Sequence, residues 1–94
     1  MHSAHAYQVL ARELEILTAL PGNELALLVA AAPLPRIIQV GGEDAEIEFT
    51  ADWSDKAKTR LVVTGHLRGP STWHHQHFQE SITVSISPGA APGA

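Results

Sequence analysis

Apolar residues recur at helical spacing through the first part of the chain. Tyr7, Leu10, Leu14 and Leu17 fall on one stripe, which Val9, Ile16 and Leu20 widen. Gln8, Arg12 and Glu15 take the opposite side, so the spacing predicts an amphipathic helix over residues 4–20. Ser3 is placed to cap its start, and Pro21-Gly22 to end it. Residues 23–32 are mostly apolar and too few for periodicity to separate a helix from a buried strand. A second short helix is the preferred reading, with Asn23 as its cap and Leu25, Leu28 and Val29 turned inward. Pro33 and Pro35 end either form.

The period changes to two at Arg36. Residues 36–40 form a short β-branched run, and Gly41-Gly42 supplies the positive φ of a tight turn. Residues 45–51 alternate cleanly, as a half-buried strand does. A polar loop over 52–58 carries Trp53. The next strand, 59–68, puts Leu61, Val63, Gly65 and Leu67 on one face. A longer loop over 69–76 holds Pro70 and Trp73, and the last strand, 77–86, turns Phe78, Ile82, Val84 and Ile86 inward. The expected fold is α+β: an N-terminal amphipathic helix and a short second helix packed on a three- or four-stranded antiparallel sheet. Residues 1–86 are read as one domain, and 87–94, rich in Pro, Gly and Ala, as a disordered tail.

Composition narrows the function. A chain of 94 residues has room for one core, and 45% hydrophobic residues is ordinary for a globular protein. Ten acidic residues against six Lys and Arg give a formal charge of −4, without the basic footprint that nucleic acid requires. The lack of cysteine removes disulfides, thiol catalysis and Cys-based zinc sites. The N-terminus has neither a basic nor an apolar leader segment, and the run 25–34, broken by Pro33, falls short of the roughly twenty residues of a membrane span. A cytoplasmic protein without membrane contact is expected.

Strand phase assigns an open sheet face: Glu46, Glu48 and Thr50, then Arg60, Val62, Thr64, His66 and Arg68, then His77, Gln79, Ser81, Thr83 and Ser85. Such a face is commonly just solvated, held by cross-strand pairs such as Glu48 with Arg60. It is also the largest area that so small a domain can offer a partner. Trp53 and Trp73, both expected in loops, would either cap the core or anchor a partner together from one sheet end.

The run His74-His75-Gln76-His77 puts His75 and His77 on one side, with His66 sharing their parity on the neighbouring strand. Three imidazoles could hold zinc with a water in the fourth position and Glu46 or Glu48 as base; solvated surface histidines are the commoner outcome. Glu13 and Glu80 occupy nominally apolar positions. Facing each other they would form an acid–base pair; at the core edge they would reach water or an arginine such as Arg36. No HExxH, phosphate-binding loop or Gly-x-Ser-x-Gly spacing is present, and no cofactor is expected.

In size, acidity and helix-plus-meander layout the chain resembles the small immunity proteins and antitoxins that bacteria encode beside toxins. The leading expectation is a non-enzymatic intracellular protein-binding module, an inhibitor or immunity-type protein. It would cover its partner with the open face and the loop 73–77, using Trp53, Trp73, His74, His75, His77, Glu46, Glu48, Arg60, His66 and Arg68. Glu46, Glu48, Asp52 and Asp55 would steer it toward a basic partner. The alternatives are a small enzyme, with histidine-ligated zinc or acid–base chemistry, and a structural subunit or homodimer pairing through residues 36–40.

Overall fold

The computed structural model describes residues 2–33, 35–70 and 76–86. Among them two helices, α1 (His2–Thr18) and α2 (Gly22–Ala30), precede four strands: β1 (Arg36–Val40), β2 (Glu43–Trp53), β3 (Arg60–Arg68) and β4 (His77–Ser85). The strands form an antiparallel meander in chain order. This is the α+β architecture that the pattern predicts. The expectations for Trp73, His74, His75 and the tail 87–94 lie outside the described residues.

Both helix starts differ from expectation. Helix α1 begins at His2, so Ser3 belongs to its first turn and does not precede it. The segment 23–32 is helical, but Pro21 and not Asn23 holds the cap position, with φ −56° and ψ 148° and no side-chain cap. The Pro21 carbonyl accepts from the amides of Glu24 and Leu25, each at 3.0 Å. A ring-fixed φ pre-organises that turn without a capping hydroxyl.

Helix α1 lies over β3 and β4, and α2 over β2. Every fully buried strand residue sits on one parity: Val40, Ala45, Ile47, Ala51, Leu61, Val63, Leu67 and Phe78. One cluster joins Ala6 and Leu10 to Ile47, Leu67 and Phe78; a second joins Leu14 and Leu25 to Ala51, Leu61 and Val63. Phe49 packs against both. The buried stripe of α1 is narrower than its apolar pattern, since Tyr7 is 40% exposed and Ile16 62%, and Leu20 lies beyond the helix end at Thr18. A helix touches a sheet along a line, and Ile16 lies about 120° around the axis from Leu10.

Gly65 sets the distance of approach. A Cβ there would lie 2.8 Å from Leu10 Cδ1, 3.1 Å from Phe49 Cε1 and 3.4 Å from Leu14 Cγ. The helix therefore rests on bare backbone at the middle of β3. Gly41 and Gly42, at φ +61° and +83°, close the β1–β2 hairpin as the sequence predicts.

Strand β2 is longer than expected and absorbs Trp53, which pairs with Leu61 and is half-buried against the second cluster. The anticipated loop placement of Trp53 is thus corrected, and the alternation simply continues through Asp52. The expected Glu48–Arg60 pair does not form either: Glu48 faces His66, and Arg60 faces Ser85. Glu80 has helix-side parity opposite Gly65, yet it is exposed because β4 is an edge strand.

Candidate functional site

The face turned away from the helices carries none of the fully buried residues, so strand phase leaves it open. Its ladder reads Glu46–Arg68–His77, Glu48–His66–Gln79, Thr50–Thr64–Ser81 and Asp52–Val62–Thr83 across β2, β3 and β4. Short polar side chains fill the middle. Thr64 and Ser81 share a hydrogen bond of 2.9 Å between their hydroxyls. At one end Arg68 donates to Glu46 at 3.2 Å, a half-exposed ion pair that contributes at most about 1 kcal/mol. That pair cancels one of the acidic groups expected to steer a basic partner.

Two of the three histidines singled out for zinc converge. His66 Nδ1 lies 3.3 Å from His77 Nε2, and the rings stack at 5.4 Å between centroids with 30° between planes. They meet diagonally, because His77 pairs with Arg68 and His66 with Gln79. The second His66 nitrogen, Nε2, lies 3.5 Å from Thr50 Oγ1 on β2. Among the described residues no group of three His, Asp or Glu converges in a metal-binding arrangement.

The other candidates are dispersed. Trp53 sits on the helix side, and Arg60 shares its end of β3, while Arg68 pairs with His77 at the opposite end. Seven residue steps, about 23 Å, separate Leu61 from Arg68 along β3. Trp53 therefore contributes nothing to the surface around His66 and His77. The β3–β4 connection is pinned where Gly69 donates its amide to the Gln76 carbonyl at 2.8 Å. Glu13 pairs with Arg36 of β1, whereas Glu80 stands on β4 at the other sheet edge, three strand spacings or about 14 Å away. The acid–base pair considered for these carboxylates is not assembled. A cleft of about 170 Å³ between the helices is lined by Leu17, Leu28, Ala31, Ala32, Pro33 and Phe49, which offer no side-chain acid or base.

Asp55 was expected to steer a partner, but it holds its own loop. Its carboxylate accepts from the Thr59 hydroxyl, from the Thr59 amide at 2.9 Å and from the Arg60 amide at 3.1 Å. These bonds, the Thr59 hydroxyl first, favour the ionised form and hold its pKa below the usual carboxylate value. A lowered folded-state pKa adds stability that is present above the unfolded value of about 3.9 and lost as pH falls through the folded one. Asp55→Asn should accordingly melt below the parent at pH 7, with the gap closing as pH drops below about 4. A gap that stays constant with pH in thermal scans would refute this linkage.

Among the described residues no helix is long and apolar enough to cross a membrane. No protein-family model, no curated protein and no solved structure matches the chain.

Proposed function

We propose that the chain is a non-enzymatic intracellular protein-binding module, of the inhibitor or immunity kind, that covers a partner with the open face of its sheet. The single observation carrying this reading is the division of the sheet. All fully buried strand residues lie under the helices, which leaves a flat hydroxyl-, amide- and imidazole-bearing platform on the other side. Flat platforms of short hydrogen-bonding side chains suit another protein's surface better than a small substrate, which needs a concave, mostly apolar site. Mixed charge on the platform, with Glu46 neutralised by Arg68, favours a partner that offers hydrogen bonds over one that is merely basic.

Thr64→Arg with Ser81→Arg places two bulky cations at the platform centre, at exposed or half-exposed positions. Quantitative affinity purification should recover one stoichiometric partner with the parent chain. Recovery should fall at least tenfold with the double variant and be retained by Glu15→Arg on the exposed side of α1. No stoichiometric partner, or one indifferent to the platform substitutions, would overturn the proposal.

A further inference from the structure

We infer that His66 and His77 form a two-imidazole chelate for a borderline divalent transition metal ion, zinc above all, on the open face. The spacing is the first ground. With metal–nitrogen bonds of about 2.0–2.1 Å, two ligands of a tetrahedral ion stand about 3.3 Å apart. The facing nitrogens of His66 and His77 are 3.3 Å apart already. Binding therefore requires little rearrangement of the backbone positions that set the pair.

Orientation is the second ground. A ligating histidine characteristically hydrogen-bonds through its other ring nitrogen, which fixes both tautomer and ring plane. Thr50 Oγ1 stands 3.5 Å from His66 Nε2, so an Nε2–H can donate to that hydroxyl and leave Nδ1 bare toward His77. With the His77 proton on its Nδ1, both facing nitrogens are unprotonated and free to donate to a metal. Charge is the third. Glu48 is paired with His66 across β2 and β3, and Glu46 engages Arg68, the cation paired with His77. The ion pair with Glu46 offsets the arginine charge beside His77. Two protein donors leave further coordination positions for water.

Isothermal titration with zinc alone tests the site on the full chain. One saturable event near 1:1 is expected, weakened at least tenfold in His66→Ala and in His77→Ala. Thr50→Val should weaken it about tenfold, because only the orienting hydroxyl is lost. Magnesium and calcium, which prefer oxygen donors, should give no saturable heat. Circular dichroism of each variant checks that the fold persists, and the ring resonances of His66 and His77 should shift on zinc addition. Absence of saturable binding by the parent would overturn the inference. So would binding unchanged in the His66 and His77 variants, or abolished only in His2→Ala/His5→Ala. None of these results depends on the proposed protein partner.

Discussion

Gly65→Val should destabilise the protein by about 3 kcal/mol or more, read as a lowered urea midpoint. The first added carbon alone would stand 2.8 Å from Leu10 Cδ1 and 3.1 Å from Phe49 Cε1. The Leu10 contact is closer than real Cβ atoms show, so the Leu10 side chain must swing away, and the two further valine methyls press on Phe49 and on the seat of α1. A lifted helix also loosens Leu14, 3.4 Å from the same point, and with it the second core cluster. Overpacking of this kind costs about 1–3 kcal/mol for a few methylenes, and the branched valine takes it to the upper end. Gly65→Ala should cost less, since the Leu10 methyl is the end of a flexible side chain. A valine variant as stable as the parent would show that the helix does not seat on this backbone.

Leu10→Ala should cost about 2–5 kcal/mol by the same measurement. Leu10 is fully buried and belongs to the cluster that binds α1 to Val40, Ile47, Leu67 and Phe78. Truncation removes its transfer energy and leaves a void that the flat sheet below cannot collapse to fill. Small domains hold only about 5–15 kcal/mol in all, so the variant should be close to unfolding at 37 °C. Combined with Gly65→Ala, the two losses should be less than additive by about 0.5–3 kcal/mol, because the leucine methyl that obstructs the new Cβ is gone. Strict additivity would mean that the two residues do not press on one another.

Much of this architecture is legible from side-chain period alone. Ile47, Val63 and Phe78 point under the helices because alternation leaves them no other face, and Gly41-Gly42 marks its turn by the φ values that it can adopt. Glu13 is legible as a charge at a nominally apolar position that must reach water or an arginine such as Arg36, and Arg36 is the partner that it takes. What escapes the pattern depends on distances between elements. Tyr7 and Ile16 have the right character for burial, but how far the sheet wraps beneath α1 is a tertiary property. Trp53 reads as loop because Asp52 and Ser54 flank it, although the β2–β3 register carries pairing through to Leu61. The meeting of His66 with His77 is visible only as shared parity. Which residues become diagonal neighbours is settled by the Gly69–Gln76 closure of the hairpin, and no local signal fixes that closure.

Glu80 bears on how this sheet meets other chains. An apolar strand added alongside β4 would bring its helix-side residues over that carboxylate and strip away its water, a cost that only an incoming cation offsets. Edge pairing along this border therefore carries an electrostatic cost for any strand that brings no cation there.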